Sequence, residues 1–240
     1  MQDLAATPRM SIFDETVANT QVAGQQLTVN AGEPIYQANT PAEKVFFIQR
    51  GQVRIYQEGP DGSSRLLEIL GPGDWCGAEA LAHLPGYGTV AVAVGPVTVT
   101  EVTVDNLLTE LSQQPRVAVE LTRQLAAKLH AAREDAARLV FDDCHNRLLK
   151  TLVRFSRSAA ATPHTEGVVL RITHHQLAQA VGVARETISL ALTQLRQRNL
   201  LRTGRNQLTF NPDALRKLSE HHNGTNGNGH SHPAPEPANQ

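Results

Sequence analysis

ITHHQLAQAVGVARETISLALTQLRQRNLLRT, residues Ile172–Thr203, is the stretch on which the fold of this 240-residue chain turns. Thr173 followed three residues later by Gln176 is a capping box, which starts a helix. Leu177, Ala178 and Val181 then recur at helical spacing, and Gly182 supplies a tight turn. Ile188, Ala191, Leu192 and Leu195 give a second helix its inward face. The pattern predicts short helices at about His174–Val181 and Ala184–Gln197. Arg185, Glu186 and Ser189 fall on the other side of the second helix, near its start. In a helix-turn-helix those early positions enter the major groove. Arginine donates to guanine O6/N7, glutamate accepts from a cytosine amino group, and serine does either. An ordinary helical hairpin in a binding module would carry the same apolar spacing, so the surroundings decide between the two.

Those surroundings are basic. The whole chain has a net charge of -1, but its distribution is uneven. Residues 1–140 hold 10 lysines and arginines against 16 aspartates and glutamates, a net of -6; residues 141–220 hold 12 against 6, a net of +6. A basic half attached to an acidic one points to a polyanion as partner of the second half. Downstream, Leu200–Arg202 and Gln207–Phe210 are spaced as a small hairpin around Thr203–Asn206, and Asn211-Pro212 caps a last helix through Leu218. Upstream, Cys144–Ser158 reads as a helix with Leu148, Leu149, Leu152, Val153 and Phe155 on its apolar face. Ala159–Gly167 reads as a linker, and Leu170–Ile172 as a short strand.

The first half has a different texture. Gln26–Val29, Lys44–Gln49, Gln52–Tyr56, Arg65–Leu70 and Val97–Val104 are short strand candidates punctuated by Gly, Pro and Asp. Many short strands without intervening helices argue for an antiparallel sandwich or barrel. From about Gln113 to Leu139 good helix formers take over, with Pro115 in the first turn. Leu125, Leu129, Ala132, Ala136 and Leu139 follow 4-3-4-3 spacing, a seam that wants another helix against it. Packing on its own sheet would satisfy the seam, but a long helix between two domains favours a dimer axis.

Composition excludes other classes. Hydrophobic residues make up 40% of the chain, yet no window approaches 18 consecutive apolar residues, so no membrane span is expected. MQDLAATPRM lacks a basic leader followed by an apolar run, and a cytoplasmic protein is expected. Cys76 and Cys144 read as buried thiols, too few for a disulfide framework or a four-cysteine cluster. The segment from Glu220 onward has too little apolar surface to order itself, and His221, His222, His230 and His232 within it do not form an expected metal site. His83 and His130 read as surface or packing residues. No nucleophile–base pair, metal triad or phosphate loop marks an enzyme.

Taken in order, several stretches resemble the family of the cyclic-AMP receptor protein and the fumarate–nitrate reduction regulator. Gly51-Gln52-Val53-Arg54-Ile55-Tyr56, Gly71-Pro72-Gly73-Asp74-Trp75 and Gly77-Ala78-Glu79-Ala80-Leu81 are similar to its sensor-domain signatures. Phe141-Asp142-Asp143 through Arg147-Leu148-Leu149 is similar to its hinge and following helix, and Val181 through Ser189 to its recognition region. The resemblance implies an α+β chain. Residues 1–20 form an N-terminal extension, 21–110 a jelly-roll cyclic-nucleotide-binding-like sensor, and 111–140 a dimerisation helix. Residues 141–219 form a winged helix-turn-helix and 220–240 a disordered tail. It further implies a homodimer on double-stranded DNA, most often an activator that contacts RNA polymerase. A repressor would use the same DNA-binding parts. The competing class is a ligand-binding module that docks on another protein.

Site residues carry over only in part. Arg185 and Glu186 match base-contacting positions of the cyclic-AMP receptor branch, and Glu186 and Ser189 those of the fumarate–nitrate branch. Both branches place an arginine where this chain has Leu190, so one guanine contact is missing or replaced by an apolar contact with a thymine methyl. Thr173 and His174, at the start of the first helix, and Arg202 and Arg205, in the wing, are phosphate-contact candidates, which position the protein without specifying sequence. In the sensor, the family's glycine–glutamate pair corresponds to Gly77-Ala78, with Glu79 one residue late. Its arginine–serine/threonine pair corresponds to Gly88-Thr89. The base-contacting positions on the long helix correspond to Ala132 and Arg133, and Arg133 is a candidate for reaching an anionic ligand. No cofactor is required by these residues; cyclic AMP, another small effector, or no effector at all remain open.

Overall fold

The computed structural model describes residues 24–225 apart from residues 83 and 142, and for residues 135, 137–141 and 221–225 it describes the backbone alone. The expected N-terminal extension, His83, the Leu139 side chain and the tail from residue 226 therefore lie outside the described residues.

Strands β1 (Gln25–Val29), β2 (Pro34–Tyr36), β3 (Lys44–Arg50), β4 (Val53–Glu58), β5 (Ser64–Leu70), β6 (Trp75–Cys76), β7 (Val90–Ala93) and β8 (Val97–Thr103) make two antiparallel sheets, ordered β1-β8-β3-β6 and β2-β7-β4-β5. The two sheets face each other across Phe46, Ile48, Val53, Ile55, Leu70, Ala91 and Val99. β3 does not alternate in polarity because both its faces are covered. Phe46 and Ile48 point between the sheets, while Val45 and Phe47 pack outward with Trp75, Val102, Leu107 and Leu121. Three of these strands, β2, β6 and β7, are too short or too Gly-bounded to stand out in the sequence.

The helical connection starts earlier than its composition indicates. Helix α1 (Val104–Gln113) begins at an N-cap, Thr103, whose side chain accepts from Asn106 N. The chain breaks at Gln114 and restarts as α2 (Pro115–Phe141), so the expected helix from Gln113 is two helices. The cause is Pro115, which disfavours helical geometry in the residue before it and opens the next helix at its first position. Strand β8 correspondingly ends at Thr103, not Val104.

Helix α3 (Cys144–Phe155) is capped by Asp143, whose carboxylate accepts from Asn146 N at 2.7 Å. The expected linker after it is in fact a hairpin, β9 (Ala161–His164) and β10 (Gly167–Leu170). Gly167 closes it at φ +126, where a Cβ would lie 2.3 Å from the Phe210 carbonyl oxygen, so only glycine fits. Helices α4 (His174–Val181) and α5 (Arg185–Gln197) follow, then β11 (Leu201–Gly204), β12 (Gln207–Phe210) and α6 (Pro212–Thr225). α6 runs well past the expected end at Leu218. β12 joins β10, giving a third sheet ordered β11-β12-β10-β9.

One apolar cluster joins the two halves. Leu66 and Ile69 of β5 are buried with Leu148, Leu152, Leu177, Val181 and Ile188 of the C-terminal half. A bulge makes this seam. The register of β4 with β5 passes from Ile55↔Glu68 to Tyr56↔Leu66, leaving Leu67 unpaired. Strict alternation would put Leu66, Glu68 and Leu70 on one face. The extra residue turns Leu66 and Ile69 outward together and sends Glu68 and Leu70 inward.

Candidate nucleic-acid interface and effector pocket

The helix-turn-helix is built as its sequence requires. Thr173 Oγ1 accepts from Gln176 N at 3.1 Å, and Thr173 N donates to Gln176 Oε1 at 3.0 Å, completing the capping box. Gly182 closes α4 in the left-handed region at φ 77 and ψ 47. Leu177, Val181, Ile188, Leu192 and Leu195 are all buried, so both inward faces meet in one core. Glu186 and Leu190 are exposed on the opposite side of α5, and Arg185 is exposed at its first position. Ala184, the N-cap of α5, offers no side-chain cap, which leaves first-turn N–H groups for an external acceptor.

Ser189 is also tied into the fold. Its hydroxyl donates to Arg185 O at 3.0 Å, which uses its one proton. His174 Nδ1, 3.1 Å away, is therefore the donor to Ser189 Oγ. This bond ties the start of α4 to the middle of α5. In the wing, Arg205 is exposed beside the tight turn at Asn206, φ 56. Arg202 Nη1 pairs with Glu166 Oε2 at 2.9 Å, linking the two hairpins. That pair is largely exposed, worth about 0–1 kcal/mol, and readily exchanged for a phosphate.

The sensor half carries a pocket of about 230 Å³ lined by Tyr36, Glu68, Gly77, Ala78, Glu79, Thr89 and Lys128, among others. Four of the expected pocket residues, Gly77, Ala78, Glu79 and Thr89, are on its wall. Thr89 Oγ1 donates to Glu79 Oε1 at 3.1 Å, so the Tyr36 hydroxyl, 3.1 Å from Thr89, must be the donor to it. Burial pushes the Tyr36 phenol well above its ordinary value, which keeps that donor proton in place. Tyr36 also stacks on Tyr87 with centroids 4.2 Å apart. Cys76 forms part of the floor, and burial pushes its thiol up to about 12, so it is protonated and inert near neutral pH. Cys144 is only half-buried, contrary to expectation, and both cysteines are free.

Arg133 does not line the pocket; it is exposed. The pocket's lysine is Lys128, five residues earlier and about 140° away around the helix. Lys128 Nζ reaches Glu68 Oε2 at 2.7 Å and Trp75 O at 3.2 Å. With Gln124 Nε2 donating to Gly73 O at 3.0 Å and Leu121 buried, it forms the stripe that fastens α2 to the sandwich. Sequence reading missed Lys128, Glu68 and Tyr36. The 3-4 spacing of Leu121, Gln124 and Lys128 is the one signal that marks the stripe. The next stripe round carries Leu125, Leu129, Ala132 and Ala136, all exposed. His130 is an exposed residue, 3.6 Å from Glu134.

Set against the family's phosphate cassette, this lining is poor in positive charge. Gly88 stands where a phosphate-binding arginine would precede Thr89, and Ala78 where a ribose-holding glutamate would follow Gly77. Glu68 and Glu79 outnumber Lys128, which Glu68 already engages. A buried phosphate would add negative charge to a wall already net negative. Among the described residues, no cluster of His, Cys, Asp and Glu is arranged to hold a metal ion, and no helix is long and apolar enough to cross a membrane.

A double-sheet sensor sandwich joined by a long helix to a winged helix-turn-helix defines a DNA-binding regulator of the two-domain kind. Comparison with known proteins agrees: residues 26–114 match the cyclic nucleotide-binding domain family, and residues 146–218 the Crp-like helix-turn-helix domain. The chain belongs to the CRP/FNR superfamily of transcription regulators, a family of regulators and not of enzymes. It is 29% identical over 175 residues to a CRP-like cAMP-activated global transcriptional regulator of Mycobacterium tuberculosis, covering 71% of this chain and 77% of that protein. It is 28% identical over 173 residues to the cyclic AMP receptor protein of Thermus thermophilus, covering 72% and 77%. A CRP/FNR-family transcriptional regulator from Thermus thermophilus superposes with a TM-score of 0.69 at 25% identity, covering 82% of this chain and 98% of that one. The c-di-GMP-responsive global regulator CLP of Xanthomonas campestris shares the fold, with a TM-score of 0.68 at 23% identity, covering 78% and 94%. These likenesses support a DNA-binding regulatory function.

Proposed function

We propose that this protein is a cytoplasmic transcription activator that binds a two-fold symmetric promoter site as a homodimer, without requiring cyclic AMP, and contacts RNA polymerase from there. The observation that carries the DNA-binding part is the exposed face of α5. Arg185 and Glu186 stand clear of the protein on a helix whose opposite face is locked into the core. Arg205 on the wing and the first-turn N–H groups of α5 flank that face and suit phosphates. Dimerisation is supported by the α2 stripe, where Leu125 and Leu129 remain 37% and 52% exposed in the single chain. Cyclic AMP is what the names of the mycobacterial and Thermus relatives carry, but this chain's Gly88, Ala78 and Glu68–Lys128 pair argue against it as the switch.

Footprinting on genomic fragments, with and without cyclic AMP, tests the proposal. Protection of a two-fold symmetric site, unchanged by the nucleotide, is the expected result. No sequence-selective protection at any salt concentration would remove the DNA-binding reading, and strict dependence on cyclic AMP would remove the effector reading. Glu186→Ala should mainly weaken discrimination between sites. Arg205→Ala should weaken binding to all sequences alike and reduce the salt slope by about one for each phosphate no longer neutralised. Equal effects of both changes on specific and nonspecific DNA would contradict that division.

A further inference from the structure

Leu190 is the most exposed large apolar side chain among the described residues, at 63%. It sits four residues after Glu186, one turn along the same outward face of α5, and about 200° from buried Ile188. Most large apolar residues around it are buried; this one projects from the outward face that carries Glu186, about 140° around the helix from Arg185. We infer that Leu190 is a specificity-determining residue that reads the C5-methyl group of a thymine, within about two base pairs of the pair engaged by Glu186. The inference rests on α5 being the recognition helix.

Three observations lead there. The floor of the major groove is lined by hydrogen-bonding edges, and the thymine methyl is its one apolar protrusion. An exposed leucine has no hydrogen bond to offer, so that methyl is the partner that rewards its burial. Ser189, the neighbouring candidate, already donates to Arg185 O and accepts from His174 Nδ1, which leaves its hydroxyl no proton for a base acceptor. The spacing also fits. Side chains at i and i+4 lie about 6 Å apart along a helix, less than the length of two base-pair steps at about 3.4 Å each.

The test uses the full-length protein and the site selected from random DNA. Each thymine of a half-site is replaced by deoxyuridine, which removes the methyl and leaves every hydrogen-bonding group in place. Binding is measured by fluorescence anisotropy. One position in each half-site should cost wild-type protein about fourfold in affinity, the equivalent of about 0.8 kcal/mol for one buried methyl. Symmetric replacement in both half-sites should cost about fifteenfold. L190A should bind thymine and deoxyuridine sites equally at that position and keep its preference at the pair read by Glu186. L190R, selected afresh, should exchange the thymine for a guanine. Leu190 is exposed, so both variants should keep the wild-type thermal unfolding profile. Selective binding by wild type with no deoxyuridine-sensitive position would overturn the inference while leaving DNA recognition intact. Retention of the sensitivity by L190A would overturn it in the same way. Failure of selection to yield any preferred site would instead overturn the recognition-helix reading and this inference with it.

Discussion

Truncating both seam leucines of α2, as L125A/L129A, should turn a dimer into a monomer at ordinary working concentrations. Their exposures of 37% and 52% together amount to about nine tenths of one leucine's surface. Leucine to alanine removes three carbons. At about 0.8 kcal/mol for each buried carbon, full burial of one such unit is worth about 2.4 kcal/mol, and the exposed share about 2 kcal/mol. A symmetric interface counts each protomer, which gives about 4 kcal/mol, or about a thousandfold in the dimer dissociation constant. The protomer itself should be little affected, because alanine is the better helix former and neither leucine belongs to the protomer's core. Analytical ultracentrifugation across a concentration series measures the constant directly. The variant should also lose affinity for a complete two-fold site while keeping weak binding to a half-site. A dissociation constant equal to that of wild type would refute the assignment of this stripe to the dimer interface.

Three further outcomes follow from the pocket and the seam. Wild-type protein should give no heat with cyclic AMP in calorimetric titration, and A78E/G88R should gain binding; a Cβ at Gly88 meets nothing within 4 Å, so the substitution makes no clash at its first carbon. Tight binding by wild type, or none by the double variant, would show that the wall's charge does not decide nucleotide binding. Cys76 should resist maleimide labelling in the native protein near neutral pH and react on unfolding, as mass spectrometry would show. Its folded value is raised, so the stability of burying a neutral thiol is complete below the unfolded value of 9.0 and is lost as pH climbs toward about 12. Native labelling as fast as that of a free thiol would count against this. Ile69→Ala should destabilise by about 2–5 kcal/mol in urea unfolding. Gly71→Ala should cost about 1–3 kcal/mol, since its new Cβ would fall 2.5 Å from that of Ala159 across the seam. Changes below about 0.5 kcal/mol in both would show that the two halves do not rest on each other there.

Much of the DNA-reading module was legible in the residues themselves. Capping, the glycine turn and apolar spacing are local, so Thr173, Gln176, Gly182 and the face of Ile188, Leu192 and Leu195 could be placed without a partner in view. The β9–β10 hairpin was not legible, because β9 has no apolar run of its own and is held by pairing with β10. The sensor half behaved likewise: the longer strands were visible, while β2, β6 and β7, of 3, 2 and 4 residues, are held by their neighbours.

The pocket marks the boundary between the two kinds of information. The residue types around Gly77 and Gly88 were enough to show a missing phosphate counter-charge, since an absent arginine is absent in any fold. Which cation of α2 lines the pocket was not, because Lys128 and Arg133 differ only by their azimuth on α2, and packing of Leu121 and Gln124 on the sandwich sets that azimuth. The seam is a further case. Alternation along β5 points Glu68 the wrong way, and one unpaired residue, Leu67, reverses it. Local spacing along the chain thus determined the helix-turn-helix and the outward face of its second helix. The tertiary structure alone decided which groups share the pocket and which side of β5 meets α4, because a bulge and a helix rotation are settled by contacts between distant segments.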